Sequence, residues 1–266
     1  EDGDGVVIGG AVINRNKLLM TFTWNAQALD RAPIPPEKAA VIAKATLAAC
    51  DAQDGLVDGV IDSPDKCKFD PKTLTCPSPT NGGDDTGCLT PGQVTTLEKI
   101  YSGPRNSAGD QLYPGYPPGH EDDYPGRLSG SPDQRSTHSW QYQNDWMRYF
   151  VFSDPNYDSV KEFDFDRDPP LLKRLAEQDA DNPDLSAFQA RGGRLIIYNG
   201  WADHSTSPLQ MVQYYNEVRK KHGESTDDFA RLFLVPGFHH CSGGPGPNSF
   251  GGSGHALKGD AEHDIF

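Results

Sequence analysis

Two polar residues near the C-terminal end of this 266-residue chain stand where they could do acid–base chemistry. Asp203 comes shortly after the apolar run 194–197, and His240 comes shortly after a similar run at 231–234. Short apolar runs of this kind are typical of buried strands. A carboxylate that holds a histidine is the acid–base part of a Ser-His-Asp triad. The neighbouring His239 is the rival to His240 for the role of the base.

The stretch between these residues predicts a helix. Residues 208–222 place apolar side chains at helical spacing, namely Leu209, Val212, Tyr215 and Val218. A strand, a helix and a strand, with an acid past the first strand and a histidine past the second, are arranged as in an α/β-hydrolase. We therefore predict the α/β class.

The nucleophile of such a triad is not found in the sequence. An elbow needs the pattern G-x-S-x-G, because the sharp strand-to-helix turn tolerates only small neighbours, and the chain contains no such pattern. Ser205, Ser207 and Ser242 lie close to the acid or the histidine but lack the flanking glycines. Because the serine comes first in chain order, we expect it before Glu1, and we expect this chain to be an inactive fragment.

A second candidate site is an acidic block. Four aspartates fall within twelve residues: Asp51, Asp54, Asp58 and Asp62. Carboxylates this close repel each other, so Ca²⁺, which takes about six to eight oxygen ligands, is the natural counter-charge. The spacing is not that of an EF-hand, and the closing glutamate is absent. The alternative is an acidic solvated loop in which Asp62 caps a turn.

The cysteine count is odd, which suggests that one partner lies elsewhere. Cys50 with Cys67 and Cys76 with Cys88 lie in loop-rich sequence and could each close a short loop, which leaves Cys241. A zinc site is disfavoured, because such sites usually contain cysteine pairs about two to four residues apart. Disulfides point to a secreted or periplasmic protein.

The composition excludes several classes of function. The formal net charge of −14 disfavours binding to nucleic acids and to anionic membranes. No run approaches the roughly eighteen apolar residues of a membrane helix. The 28 glycines and 22 prolines indicate long irregular connections.

The chain divides into three predicted parts. Residues 1–25 contain a core strand and an exit loop, residues 26–180 form an inserted lid, and residues 181–266 return to the core with the acid and the histidine. The lid is predicted to contain helices at 36–50, at 91–101 after the N-cap Thr90, at 140–152 and near 171–175. Aromatic residues in 140–152 offer flat area on which an aromatic ring could stack, and Arg148 could contact a carboxylate. The alternative is that this helix packs its aromatic face into the core of the lid.

Three motifs in this chain together resemble a known family. They are Gly200-Trp201-Ala202-Asp203, His240-Cys241-Ser242-Gly243-Gly244-Pro245-Gly246 and the aspartate-rich block after Cys50. In their order along the chain they are similar to motifs of the tannase and feruloyl esterase family, which includes bacterial mono(2-hydroxyethyl) terephthalate hydrolases. The likeness extends from about Asp4 to about Phe266. It implies an α/β-hydrolase core with a large inserted lid that binds the aromatic acyl group.

The resemblance implies roles for individual residues. Asp203 would be the triad acid and His240 the base. The family's serine lies in a Gly-Cys-Ser-x-Gly elbow whose cysteine forms a disulfide with the cysteine after the histidine. Cys241 would therefore pair with a cysteine a short way upstream of Glu1, and a C-terminal helix would follow this chain. Asn199 stands where the family commonly has histidine, which would alter the pocket wall and leave the mechanism intact.

The resemblance also implies a calcium ligand set. It comprises the side chains of Asp51, Asp54 and Asp58 and the backbone carbonyls of Leu56 and Val60. The role of the calcium would be structural, since no catalytic candidate lies in this segment. A disulfide between the cysteines that flank the loop would brace it.

The resemblance implies a secreted or periplasmic serine ester hydrolase that releases aromatic acids such as ferulate or gallate from small-molecule esters. Hydrolysis of terephthalate monoesters is a variant of the same chemistry. The alternative, from another class, is a non-catalytic secreted calcium-binding protein on an α/β-hydrolase scaffold. A Cys-Ser elbow in the sequence that precedes Glu1 would favour the enzyme.

Overall fold

Three parallel strands form the sheet of the computed structural model, which describes residues 4–77, 87–130 and 133–247. They are β1 (Gly5–Gly9), β2 (Arg194–Gly200) and β3 (Ala230–Val235), in that order across the sheet. Val7 pairs with Ile196, and Ile196 pairs with Arg231. The predicted α/β class is therefore confirmed. The end of the predicted part 181–266, residues 248–266, lies outside the described residues.

Helices make up most of the regular structure. Their bounds are α1 (Arg15–Arg31), α2 (Pro36–Cys50), α3 (Pro91–Ser102), α4 (His138–Trp146), α5 (Ser159–Glu162), α6 (Pro169–Leu172), α7 (Ser186–Ala190), α8 (Pro208–His222) and α9 (Thr226–Phe229). The predicted helices at 36–50 and 208–222 are confirmed, and Thr90 caps α3 within a capping box. The predicted helix at 140–152 becomes a π-helix from Met147 to Val151.

Helix α1 replaces the exit loop that the sequence suggested. It begins after Asn14, whose side chain accepts a hydrogen bond from the Lys17 amide at 2.9 Å. Its buried side chains lie on nearly all sides, so it lacks the polar stripe that reveals a surface helix. The predicted boundary at residue 25 therefore falls inside a continuous helix. We refer to residues 10–193, which join β1 to β2, as the connecting segment.

The sheet has one covered face and one open face. Leu195, Ile197 and Met211 are buried where α8 packs on the sheet. On the opposite face, Ile196 and Phe233 are 40% and 51% exposed. Parallel sheets are normally covered on both faces. On α8 itself, Met211 and Val218 are buried while the predicted Leu209 and Val212 are half-buried, so the buried face is turned by about one residue.

Two disulfides brace the connecting segment. Cys50 is bonded to Cys67 and Cys76 to Cys88, as the sequence suggested. Cys241 carries a free, exposed thiol. Within the described ranges, no helix is both long and apolar enough to cross a membrane.

Candidate active site

The edge of the sheet brings Asp203 and His240 together. Asp203 lies just past the end of β2 and His240 just past the end of β3, and the C-terminal ends of parallel strands meet at one edge. The Nδ1 atom of His240 lies 3.0 Å from Oδ2 of Asp203. His239, the rival, points elsewhere and contacts Asp122.

The carboxylate of Asp203 is buried and held by four hydrogen bonds. Its Oδ1 accepts from the backbone amides of Ser205, at 2.7 Å, and Thr206, at 2.9 Å. Its Oδ2 accepts from the Thr206 hydroxyl at 2.6 Å and faces His240. The buried Asn199 donates to the Thr206 carbonyl at 3.1 Å. Asn199 therefore closes the loop that carries the acid.

Electrostatics keeps this acid ionised. Burial alone raises the pKa of Asp203, but hydrogen bonds from His240 and Thr206 and the nearby histidines lower the pKa overall. For His240, burial opposes the charged form, yet the Asp203 carboxylate and the Cys241 sulfur raise its pKa above the ordinary value. The pair therefore favours a carboxylate that stabilises an imidazolium.

Backbone contacts fix the spacing of the two loops. The amide of Ala202 donates to the Phe238 carbonyl at 3.2 Å, and that of Trp201 donates to the Val235 carbonyl at 2.9 Å. A Cβ atom added at Gly200 would lie 1.9 Å from the Phe238 oxygen. Only glycine permits this approach.

The imidazole of His240 lies beside Gly10, just past the end of β1. Among the described residues, the group that the structure places within hydrogen-bonding distance of Nε2 is the Cys241 thiol, at 3.8 Å. A Cβ atom on Gly10 would lie 3.0 Å from the Cys241 sulfur. Ser207, a serine close in sequence, instead donates to the Gly115 carbonyl at 2.5 Å.

An aromatic cleft of about 410 Å³ lies nearby, lined by Arg15, His138, Tyr142, Trp146, Tyr149 and Phe150 among others. Trp146 and Phe150 stack with ring centroids 4.4 Å apart, and the Arg15 guanidinium lies 5.6 Å from the Trp146 ring centre. Burial, followed by the charges of Arg127, His204 and His240, lowers the pKa of His138. The predicted Arg148 lies outside the cleft lining and donates to the Tyr157 carbonyl at 2.6 Å.

The carboxylates of the predicted calcium loop accept hydrogen bonds from backbone amides of the same loop. Asp51 accepts from the amides of Asp58 and Gly59, at 3.3 Å and 3.1 Å. Asp54 and Asp58 each accept from the amide two residues ahead, that of Leu56 at 2.8 Å and that of Val60 at 3.0 Å. Within the described ranges, no three histidine, cysteine or acidic side chains are grouped so that they could hold a metal ion. Calcium binding therefore stays a prediction.

Similarity to known proteins identifies the family of this chain. The sequence matches the family described as "Tannase and feruloyl esterase" over residues 1–261. The chain belongs to this family. It is 32% identical to an uncharacterized esterase of Xanthomonas campestris pv. campestris, over 92% of this chain and 47% of that protein. It is 30% identical to the mono(2-hydroxyethyl) terephthalate hydrolase of Piscinibacter sakaiensis, over 93% of this chain and 49% of that protein.

Solved structures of family members share this fold. The crystal structure of feruloyl esterase B from Aspergillus oryzae matches 100% of this chain and 53% of its own length, with a TM-score of 0.84 at 29% identity. Tannin acyl hydrolase from Aspergillus niger matches with a TM-score of 0.75 at 22% identity, which supports the fold alone. The chain spans about half the length of the curated relatives it matches.

The sequence did not predict that four residues beside the candidate site contact one another. They are Asp122, Asp123, His204 and His239. His204 follows Asp203 directly, and His239 precedes His240 directly, which is the signal that could have singled out both histidines. Asp123 lies 81 residues before His204 and Asp122 lies 117 residues before His239, so only the fold shows that they meet the histidines.

Proposed function

We propose that the protein containing this chain is a serine carboxylic-ester hydrolase of the feruloyl esterase and tannase type. The observation that carries the proposal is the buried Asp203 carboxylate 3.0 Å from the imidazole of His240, at the edge of a parallel sheet. Relatives named as esterases and as a terephthalate monoester hydrolase support the same chemistry. Asp203 is the triad acid and His240 the base.

The mechanism follows from the orientation of the imidazole. Asp203 accepts the Nδ1 proton of His240, which leaves Nε2 with a lone pair to take the proton of a serine hydroxyl. The serine then attacks the ester carbonyl, and His240 returns the proton to the leaving alcohol. Water repeats the cycle on the acyl-enzyme. The charge on Asp203 stabilises the imidazolium in both steps.

The serine of this mechanism is proposed to lie before Glu1. Two observations support this position. The imidazole of His240 and the Cys241 sulfur lie beside Gly10, just past the end of β1, where a neighbouring strand could deliver an elbow. The open face of the sheet also leaves room for further elements. Cys241 would form a disulfide with the cysteine before the serine, which would fix nucleophile and base relative to each other.

The substrate is proposed to be an ester of an aromatic acid, held under a lid formed by the connecting segment. The stacked rings of Trp146 and Phe150 offer flat apolar area for an aryl group. The Arg15 guanidinium in the same cleft would favour an acyl group that carries a carboxylate. Two disulfides support a secreted or periplasmic location. A structural calcium ion at the acidic loop completes the proposal.

The test is an esterase assay on the polypeptide that includes the residues encoded before Glu1. We expect hydrolysis of methyl ferulate, methyl gallate or mono(2-hydroxyethyl) terephthalate, lost when His240 is replaced by alanine. Residues 1–266 alone should be inactive. An upstream sequence without a serine elbow, together with no hydrolysis, would contradict the proposal and favour the non-catalytic calcium-binding alternative.

A further inference from the structure

Four charged or titratable side chains form a cluster beside the proposed triad. Nδ1 of His204 lies 2.5 Å from Oδ2 of Asp123, and Nε2 of His239 lies 3.1 Å from Oδ1 of Asp122. Nδ1 of His239 also lies 3.9 Å from Oδ2 of Asp123, so this one carboxylate faces both histidines. We call these four residues the histidine–aspartate clamp.

The clamp joins three parts of the chain. The histidines belong to the two loops that carry Asp203 and His240, and the ring centres of His204 and His240 lie 6.4 Å apart. The aspartates belong to a short turn of the connecting segment, Glu121–Asp123. The connecting segment thus reaches both triad loops through one pair of carboxylates.

The turn that carries the aspartates is itself anchored. The buried carboxylate of Glu121 accepts from the Gly119 amide, at 3.0 Å and 3.2 Å, and from the Tyr101 hydroxyl. A second contact between the connecting segment and the Asp203 loop is the hydrogen bond from the Tyr116 hydroxyl to the Ser205 carbonyl, at 3.0 Å. Because this turn is held rigidly, its aspartates can hold the two triad loops in place.

The cluster is not arranged as a metal site. Its two histidine–carboxylate contacts, at 2.5 Å and 3.1 Å, are ion-pair distances that leave no space for a cation between the partners. The described residues contain no grouping of three such ligands that could hold a metal ion. Its chemistry is therefore that of paired histidines and carboxylates.

We propose that Asp122 and Asp123 are positioning residues, which hold the triad loops in their catalytic arrangement through His204 and His239. The proposal rests on the proposed function. The clamp touches neither the reacting atoms nor the proton of the serine. It acts by maintaining the distance and orientation between Asp203 and His240. A displacement of about 1 Å in such geometry can lower the rate about 100-fold.

The charge on His239 gives the clamp an upper pH limit. Burial lowers the pKa of His239, but the hydrogen bond to Asp122 and the charges of Asp122, Asp123 and Asp203 raise the pKa overall. A raised pKa means that the contact contributes fully below the ordinary value of 6.5 and weakens as the pH rises through the raised pKa.

The charge on Asp123 sets the lower pH limit of the clamp. Burial raises its pKa, but the contact with His204 and the charges of His204, His239 and Arg127 lower the pKa overall. This contact contributes above the ordinary value of 3.8 and is lost as the pH falls through the lowered pKa. The clamp is therefore complete in mildly acidic solution.

The test uses Asp123→Asn and His239→Gln in the polypeptide that includes the upstream residues, with Asp30→Asn as the matched control. Asp30 is exposed on α1, so its variant loses the same charge outside the clamp. At pH 6 we expect Asp123→Asn to lower kcat roughly tenfold with KM changed less than about threefold. The deficit should shrink at pH 9. His239→Gln keeps a donor for Asp122 and should flatten the alkaline decline in kcat.

A second readout separates this proposal from the proposed function. In Asp123→Asn, amide hydrogen exchange in the two triad loops, 200–206 and 237–241, should be faster at pH 6 than in the wild type. Unchanged exchange in both loops overturns the clamp, whether or not the protein is an esterase. A deficit in kcat that is the same at all pH values, or a change in KM alone, also overturns it. A wild type without esterase activity but with faster exchange in the variant contradicts the proposed function only.

Discussion

At the residue scale, four hydrogen bonds converge on the buried carboxylate of Asp203. Three of them come from its own loop, so this loop orients the carboxylate without the help of His240. This arrangement explains why a carboxylate can stay ionised when it is buried beside a base. It also holds Nδ1 of His240 against Asp203, so that Nε2 is the nitrogen that points away from the acid.

Replacing Asp203 by asparagine should separate orientation from charge. We expect kcat in the polypeptide with its upstream residues to fall roughly 10³- to 10⁴-fold, because the amide does not select the tautomer in which Nε2 can act as a base. Because the Asp203 carboxylate raises the pKa of His240, the acid limb of kcat/KM should also move to lower pH in the variant. A pH–rate profile measures both effects. An unshifted acid limb would show that Asp203 does not set the pKa of His240.

Variants of Arg15 and Arg148 provide a matched pair with which to test the proposed recognition of a substrate carboxylate. Arg15 lines the aromatic cleft, whereas Arg148 donates to a backbone carbonyl away from it. We expect Arg15→Gln to lower kcat/KM for mono(2-hydroxyethyl) terephthalate roughly tenfold relative to methyl ferulate, because only the first substrate carries a carboxylate. Arg148→Gln should leave this ratio unchanged. Equal losses for both substrates in Arg15→Gln would rule out recognition of the carboxylate.

At the scale of elements, the contact between the loops after β2 and β3 requires glycine at one position. A Cβ atom at Gly200 would overlap the Phe238 carbonyl oxygen, whereas the nearest atom to one at Gly5 is 3.8 Å away. We expect Gly200→Ala to destabilise the protein by about 3 kcal/mol, because backbone atoms must move apart. Gly5→Ala should change stability by less than about 1 kcal/mol. Urea unfolding measures both, and similar values for the two variants would contradict the close approach.

Prediction from sequence worked best where an element carries its own signal. Helices α2, α3 and α8 begin with proline at their first helical position and were predicted nearly to the residue. Helix α1 was missed because its buried surface runs nearly all round, so no polar stripe reveals its period. Tertiary packing, which the sequence does not display, decides the structure of such a segment.

At the scale of the whole molecule, functional residues were also predictable from sequence only where they carry a local signal. Asp203 and His240 were found from motifs because each lies a few residues past a strand end. The partners of His204 and His239 were not found, because Asp122 and Asp123 come from an irregular stretch far away in the chain. Distant contacts between irregular segments leave no periodic pattern to read.

The predicted calcium ion should stabilise the entire fold. We expect calcium at about 100 times its Kd to raise the free energy of unfolding by about 2.7 kcal/mol, and a chelator to reverse this gain. Asp54→Asn should abolish the gain, because a ligand charge is lost. Asp62→Asn is the matched control outside the predicted ligand set and should keep it. Thermal unfolding with and without calcium decides, and no gain in the wild type would contradict the site.

Covalent labelling with a serine-reactive fluorophosphonate, followed by peptide mass spectrometry, tests whether His240 serves a nucleophilic serine encoded before Glu1. We predict that the polypeptide with the residues encoded before Glu1 is labelled on a serine in a Gly-Cys-Ser-x-Gly elbow. His240→Ala should abolish the label, and residues 1–266 alone should remain unlabelled. Labelling of a serine within residues 1–266, or labelling that survives the loss of His240, would contradict a triad of His240 with an upstream serine.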